Sequence, residues 1–419
     1  MIMLGKALHG RKPTFIDIFS GCGGLSLGLM QSGWQGLFAI EKTHDAFLTL
    51  KHNLLDGDRY QFDWPDWLPK ENMEVQCLLS TYRQHLMSLE GKVDLIAGGP
   101  PCQGFSNAGR RDPNDPRNKL AEQYIEVVSI VKPQFLLLEN VRGFNSKFEK
   151  SGNPDDLPYS QIVKRRLESL GYGVSYTIVT CSDWGVPQRR PRFIMIAKRG
   201  VESCSFDPFA AIDEFRDSYL KDLGLSKDKP VSVKEAIHDL EIAGKRLIPN
   251  TDSKSKKFME LAYERPKSLN RYLKIVREGH GGAPNSLRLP KHSDVVRERF
   301  ALILKECPKG TSISDEYRAK LSTKKRTLTP LHPDKPSATV TTLPDDMVHY
   351  SEPRILTVRE SARLQSFPDW YEFHGVYTTG GKRRKFTCPR YTQVGNAVPP
   401  LLSRALGLML QTQFDSNVI

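Results

Sequence analysis

The stretch Phe15–Leu29, "FIDIFSGCGGLSLGL", decides the fold. It opens with a short run of β-branched and aromatic residues, which is typical of a buried strand. The glycines in "GCGG" then predict a turn, and a helical pattern starts at Leu25. A strand, a glycine-rich turn and a helix in this order predict the first part of an α/β sheet.

The same alternation continues through the first half of the chain. Five further runs read as strands: "GLFAIE" (36–41), "VDLIAGG" (93–99), "QFLLLENV" (134–141), "VSYTIVT" (174–180) and "RFIMIAK" (192–198). Segments with helical periodicity separate several of them, at 45–54, 119–132 and 159–172. Most of the strand runs are continuously apolar, as expected for strands buried on both faces. We therefore predict a doubly wound, mostly parallel α/β sheet of the Rossmann-like type.

The second half of the chain has a different texture. Residues 201–350 are poorer in apolar runs and carry the basic clusters "KSKK" (254–257) and "KKR" (324–326). We predict three segments: an α/β domain at 1–200, a second, smaller and less regular domain at 201–350, and a C-terminal segment at 351–419 in which helical patterns resume.

Composition restricts the partners. The formal net charge of +13 favours a polyanion, with nucleic acid first and a membrane surface second, although a basic housekeeping enzyme would also fit. The seven cysteines show no C-x-x-C spacing, so neither a disulfide framework nor a metal site is expected. No apolar run reaches the roughly 18 residues of a membrane span, and no signal peptide is recognisable, so we expect a cytoplasmic protein.

The glycine-rich turn predicts a cofactor site. Glycines permit positive φ and close approach of a ligand, and a helix N-terminus adds free N–H groups. About twenty residues later, Glu41 ends the next strand, where a carboxylate can bind ribose hydroxyls. The third glycine of a dinucleotide fingerprint is replaced by Ser26, and no phosphate-loop lysine follows. A nucleoside cofactor without a pyrophosphate fits best, and a purely structural turn is the alternative.

A reactive centre is predicted at the carboxyl ends of the later strands. Cys102 follows "VDLIAGGPP", where Pro100 and Pro101 fix the backbone, and a thiolate there would be nucleophilic. Glu139 and Asn140 end the next strand. The arginines that could lower the thiol pKa are Arg110, Arg111, Arg189, Arg190 and Arg192. Taken singly, Glu139 could be a helix cap and the arginines a surface patch.

Six motifs in order make a specific resemblance: "DIFSGCGG", "GGPPCQGFS", "ENVRG", "QRRPR", "RESARLQSFP" and "QVGNAVPP". Together they resemble the C5-cytosine DNA methyltransferase family over nearly the whole chain. The resemblance implies a catalytic and cofactor-binding domain at 1–200, a target-recognition domain at 201–350, and a C-terminal segment at 351–419 that returns to the catalytic domain. The resemblance implies methyl transfer from S-adenosyl-L-methionine to C5 of a cytosine flipped out of duplex DNA. Cys102 would attack C6, Glu139 would hold N3, and Arg192 with Arg190 would hold O2. Pro191 stands where many members carry an acid, which leaves the orientation of these arginines open.

The resemblance also implies a set of cofactor-binding residues. Phe19 would lie against the adenine and Glu41 would bind the ribose, while Glu74 with Val75 is our choice near the adenine amino group. Asn396 would reach the carboxylate from the C-terminal segment. The remaining candidates are Ser20, Gly21, Cys22, Gly23, Gly24, Pro101 and Leu120.

The implied partners are double-stranded DNA and a restriction endonuclease acting on the same site, with the enzyme a monomer on DNA in the prokaryotic cytoplasm. Three alternatives stay open. A cysteine hydrolase would leave the glycine turn idle, and no His/Asn pair is suggested near Cys102. A homologous tRNA cytosine methyltransferase would not need the basic segment of about 150 residues, which favours DNA. A repressor without catalysis would not need Cys102, Glu139 and Arg192.

Overall fold

The computed structural model describes residues 11–101, 119–146, 157–253, 257–323, 325–378 and 387–414. The chain divides into two compact units. The first unit consists of Met1–Thr180, Pro191–Ser218 and Leu402–Ile419, and the second unit of Cys181–Arg190 and Tyr219–Leu401.

A six-stranded sheet, counted over the described residues, organises the first unit. Its strands are β1 (Thr14–Ile18), β2 (Gln35–Ile40), β3 (Leu95–Gly98), β4 (Phe135–Val141), β5 (Tyr172–Thr180) and β6 (Pro191–Arg199). The spatial order is β2-β1-β3-β4-β6-β5. Strands β1 to β4 run parallel to one another, whereas β6 pairs antiparallel with both β4 and β5. The predicted mostly parallel α/β sheet is confirmed.

The helices follow the predicted alternation. They are α1 (Gly24–Gln31), α2 (His44–Leu54), α3 (Val75–Thr81), α4 (Arg83–Ser88), α5 (Lys119–Val131), α6 (Tyr159–Ser169), α7 (Ile212–Asp222), α8 (Val233–Ile237), α9 (Arg271–Val276), α10 (Asp294–Glu306), α11 (Asp315–Lys320), α12 (Val358–Leu364), α13 (Arg390–Asn396) and α14 (Pro400–Thr412). Ile16 and Ile18 of β1 share one apolar core with Tyr124 and Val128 of α5. Every residue of β3 is buried, which requires cover on both faces of the sheet.

Short strands and helices make up the second unit. Its strands are β7 (Leu247–Pro249), β8 (Met259–Leu261), β9 (Thr329–Pro330) and β10 (Met347–Val348). They form two two-stranded sheets, β7 with β8 and β9 with β10. The irregularity predicted for 201–350 is therefore found in the described part of this unit.

Buried ion pairs hold the interior of the second unit. The first six residues of the "RESARLQSF" segment belong to α12, and all seven residues of this helix are buried. Arg363 lies between Asp239 and Asp369, and Arg277 binds the same Asp369 with 2.5 Å between Nη1 and Oδ2. Arg359 of the same helix is also buried, and this burial lowers its pKa to about 10. The charged residues of this motif therefore have a structural function within the unit.

The compact units begin and end at other residues than the predicted domains. Residues 351–401 belong to the second unit, and only the stretch from Leu402 groups with the first. The boundaries at 200 and 350 were set by sequence texture, which does not register the buried pairs that bind Asp239 and Arg277 to residues beyond 350. The functional roles of the three predicted domains stay predictions. Over the described ranges, no helix is long and apolar enough to cross a membrane.

Candidate active site

The carboxyl ends of four parallel strands meet at one edge of the sheet of the first unit. The segments that follow them carry most of the predicted site residues: 19–24 after β1, Glu41 after β2, 99–101 after β3, and Glu139 with Asn140 at the end of β4. This is the edge at which open α/β sheets bind their ligands.

The glycine-rich turn has an unusual backbone. Phe19 has a φ of 67°, Gly21 of 57° and Gly23 of 88°. A positive φ is rare for a bulky residue such as Phe19, and such strain is concentrated at functional sites. Gly23 precedes α1, and within the described ranges no side-chain hydrogen bond caps this helix. The free N–H groups of its first turn are therefore open to an anionic or polar ligand.

Glu41 links this turn to the next helix. Its Oε2 accepts a hydrogen bond of 3.0 Å from the backbone N–H of Gly21. Its Oε1 accepts from the N–H and the hydroxyl of Thr43, at 2.7 and 2.5 Å. A carboxylate offers about four acceptor positions, so Glu41 can hold the turn and still receive a ribose hydroxyl.

Asp17 lies under the same turn, in the middle of β1. It is 1% exposed, and its Oδ2 accepts a 2.5 Å hydrogen bond from Ser26 of α1. Its Oδ1 is buried and has no hydrogen-bond partner among the described residues. Burial, assisted by the nearby charge of Glu41, raises the pKa of Asp17 to about 7 despite the opposing Ser26 hydrogen bond. An acid inside an apolar strand was visible in the sequence, but its pairing with Ser26 was not predicted.

Glu139 and Arg192 form a buried ion pair. Arg192 Nε lies 2.6 Å from Glu139 Oε1, and the side chains are 8% and 11% exposed respectively. The antiparallel pairing of β4 with β6 places Val141 opposite Arg192 and Glu139 opposite Ile194. Two positions apart on neighbouring strands, the two side chains lie on the same face. The structure therefore brings these two predicted catalytic residues together.

The segment before Cys102 lies against this pair. A Cβ on Gly99 would be 3.3 Å from Glu139 Oε2, so the absence of a side chain lets the backbone approach the carboxylate. Asn140 donates a hydrogen bond of 3.0 Å from Nδ2 to the carbonyl of Pro100. Cys102, Arg110 and Arg111 lie outside the described residues, but the chain enters that segment beside Glu139.

Arg190 and Asn396 belong to the second unit. The side chain of Arg190 is buried and donates to the carbonyls of Val340 and Gly395, each at 2.8 Å. These contacts favour a structural function for Arg190 within that unit. Asn396 is exposed at the end of α13, and Arg189 donates to the carbonyl of Gly310.

The other candidate cofactor-binding residues differ in their exposure and in their contacts. Glu74 is exposed, precedes α3 and pairs with Lys42 at 2.7 Å, while Val75 is packed in the core. Leu120 is half-buried on α5 and Pro101 is exposed. Ser20 and Cys22 are both buried within the turn. Thr43, which holds Glu41, was missed because nothing in its sequence context marks it.

Comparison with known proteins identifies the family of the chain. Fold and site are those of an α/β enzyme. The family model described as C-5 cytosine-specific DNA methylase matches residues 13–412. The chain therefore belongs to the C-5 cytosine-specific DNA methylases, which are DNA (cytosine-5-)-methyltransferases.

Two relatives have similar length and sequence. Type II methyltransferase M.DdeI of Desulfomicrobium norvegicum is 30% identical over 414 residues, covering 96% of this chain and 89% of the relative. Type II methyltransferase M1.HphI of Haemophilus parahaemolyticus is 30% identical over 402 residues, covering 94% and 85%. A solved structure from E. coli, described as a prophage-encoded DNA modification methyltransferase, aligns with a TM-score of 0.65 at 24% identity and covers 96% of this chain and 100% of that one. It supports the fold.

Proposed function

We propose that this enzyme transfers a methyl group from S-adenosyl-L-methionine to C5 of a flipped-out cytosine in a specific duplex sequence, through a covalent bond between Cys102 and C6. The observation that carries the proposal is the buried Glu139–Arg192 pair with the backbone of Gly99 against its carboxylate. This places an acid and a cation beside the chain segment that leads to Cys102.

The residues of the pair have complementary tasks. Cytosine presents a ring nitrogen and a carbonyl oxygen on the edge that a flipped base exposes. Glu139 would bind N3 and neutralise the charge that develops there, while Arg192 would donate to O2. Because both side chains are buried, these interactions would act where water screens them little. Arg190 lies two positions before Arg192 in the "QRRPR" segment. Its hydrogen bonds within the second unit would fix the backbone of this segment and so help to position Arg192.

The covalent step explains why a thiol is needed. Attack of the Cys102 thiolate on C6 forms the S–C6 bond and moves the C5–C6 π electrons toward C5, which becomes nucleophilic. C5 would then take the methyl group as the sulfur–methyl bond of the donor breaks, and the electron pair of that bond would stay on the donor sulfur. Loss of the C5 proton to water restores the C5–C6 double bond and expels the thiolate.

The turn after β1 fits the methyl donor. When bound, S-adenosyl-L-methionine supplies an activated methyl group on a sulfonium. The positive φ of Phe19 and Gly21, the uncapped α1 and the Glu41 carboxylate offer an aromatic face, N–H donors and a ribose acceptor. Ser20, Cys22, Gly23 and Gly24 would shape the turn, Pro101 and Leu120 would line it, and Glu74, Val75 and Asn396 complete the proposed set.

The second unit would provide the DNA contacts. The net charge of +13 comes from an excess of arginines and lysines, which suit DNA phosphates. Loops of the second unit would read the base edges. Both relatives are named Type II methyltransferases, which supports a further proposal, that the enzyme is the modification partner of a restriction endonuclease. We propose in addition that it acts as a monomer on DNA in the prokaryotic cytoplasm.

A transfer assay tests the proposal. The full chain is incubated with labelled S-adenosyl-L-methionine and either duplex DNA or tRNA, and Cys102→Ala is the matched variant. We expect label in DNA with the native chain and none with the variant. Label in tRNA alone would contradict the DNA substrate, and full activity of Cys102→Ala would contradict the covalent route.

A further inference from the structure

A stack of two aromatic rings and two guanidinium groups lies inside the second unit. The Arg288 guanidinium carbon is 4.1 Å from the ring centre of Phe258 and 3.8 Å from that of Tyr377. The Arg390 guanidinium carbon is 4.3 Å from the same Tyr377 ring. Two cations this close to one ring centre must occupy opposite faces, so the order is Phe258, Arg288, Tyr377, Arg390.

The two arginines differ in what their N–H groups do. Arg390 is buried, and its donors reach Asp252 Oδ2 at 2.7 Å and Ser286 Oγ at 3.0 Å. Its Nε also donates to the carbonyl of Gly375 at 3.1 Å. The side chain of Arg288 makes no hydrogen bond or ion pair with any residue in the described ranges, although it is half-buried. One arginine is therefore anchored, whereas the side-chain donors of the other have no acceptor among the residues that the structure describes.

The rings fix the plane of Arg288. Asp252 accepts a 2.5 Å hydrogen bond from the Tyr377 hydroxyl and another of 2.9 Å from the N–H of Ser286, so Tyr377 is held in place. Half-burial lowers the pKa of Arg288 from its ordinary value, but an arginine stays charged at neutral pH. With one ring centre 4.1 Å and another 3.8 Å from its central carbon, the guanidinium has little free face, so its N–H edge is the part left for a ligand.

The geometry selects a planar partner with two acceptors. A clamped guanidinium edge presents paired N–H donors in one fixed plane, which matches O6 and N7 of guanine in the major groove. A phosphate contact needs charge and tolerates mobility, which exposed lysines and arginines supply without such a clamp. A purely structural arginine would resemble Arg390, with its donors satisfied internally.

We propose that Arg288 is a specificity-determining residue that reads a guanine of the recognition sequence through O6 and N7. The proposal rests on the function proposed above, because it assumes that the second unit meets duplex DNA. It implies that at least one guanine of the site is recognised through its major-groove edge.

The test uses guanine analogues. Bisulfite sequencing of DNA from cells expressing the native chain first defines the site. Duplexes are then made with 7-deazaguanine at one guanine at a time, which removes the N7 acceptor and keeps base pairing. We expect one substitution to slow methylation by the native chain roughly tenfold, from the loss of half of a bidentate contact. Arg288→Ala and Arg288→Lys should be slower on the natural site and insensitive to that analogue.

The control is Arg297→Ala. Arg297 lies on α10, is exposed and pairs with Asp294, so this change removes one positive charge from the same unit. It should keep the native sensitivity to the analogue. Retained sensitivity in both Arg288 variants, or a uniform loss on all duplexes, would overturn the proposal.

A variant that does not fold leaves the test intact. If Arg288→Ala shows no cooperative thermal unfolding and is therefore not folded, Arg288→Lys replaces it in the test, because lysine keeps the charge and the apolar stem. If neither folds, the native chain alone decides, because insensitivity to 7-deazaguanine at every position contradicts the proposal. Absence of any DNA methylation by the native chain would instead contradict the proposed function.

Discussion

Replacing Glu139 with Gln should damage both stability and catalysis. The pair joins Arg192 Nε and Glu139 Oε1 across 2.6 Å, with about nine-tenths of each side chain buried. Removing one charge leaves the other desolvated, which costs about 3 to 5 kcal/mol at such sites. Gln keeps the volume and one acceptor oxygen, so we expect the lower end, about 3 kcal/mol of the free energy of unfolding.

The measurement is urea unfolding of the full chain with Glu126→Gln as the matched control. Glu126 pairs with Arg83 at the same kind of distance, 2.7 Å, but both side chains are about half exposed. That substitution should change the free energy of unfolding by less than about 1 kcal/mol. If Glu139→Gln costs no more than the control, our account of the buried pair is wrong.

Catalysis gives a second readout. A group that holds N3 in the transition state contributes about 10² to 10⁴ in rate. Single-turnover methylation by folded Glu139→Gln at saturating DNA should therefore fall by at least about a hundredfold. A stable variant with native rate would leave Glu139 with a structural function only.

Three further substitutions follow from the structure. The folded-state pKa of Asp17 is about 7 against an ordinary 3.8, so the protonated form favours folding. The native chain should thus lose about 4 kcal/mol of unfolding free energy as pH rises from about 4 to about 7, relative to Asp17→Asn; parallel pH–stability curves for the two proteins would contradict this. Arg363→Leu leaves the carboxylates of Asp239 and Asp369 buried without their shared cation and should destabilise the fold by about 3 to 5 kcal/mol in urea unfolding. Glu41→Gln should weaken S-adenosyl-L-methionine binding roughly tenfold by calorimetry, since a charged acceptor is lost at the glycine turn; native affinity would remove Glu41 from the cofactor site.

The sheet could be predicted because its signals are local. Apolar runs and the glycines after β1 mark strands and a turn whatever the rest of the chain does. Parallel strands then bring their carboxyl ends to one edge, which is why Glu41 and Glu139 were placed at a site from sequence. The ion pair itself needed the register of β4 against β6, which no local signal gives.

Other features depend on contacts between residues far apart in sequence. Asp239 and Arg363 form one buried pair across more than a hundred residues. Composition does not report such a pair, so the boundary that we predict at 350 depends on sequence texture alone. Nothing in the sequence around Arg288 marks this residue, because the rings of Phe258 and Tyr377 that contact it come from distant parts of the chain. Such arrangements arise from tertiary packing, whereas composition reports only the residues available for it.

The central claim is that Cys102 forms a bond to C6 of a target cytosine in duplex DNA. The most direct measurement is a denaturing gel of the full chain after incubation with S-adenosyl-L-methionine and a duplex carrying 5-fluorocytosine at the target position. Fluorine at C5 blocks the final elimination, so the protein and the DNA should migrate together, and Cys102→Ala should leave the DNA free. No adduct with the native chain, or an equal adduct with Cys102→Ala, would contradict the account.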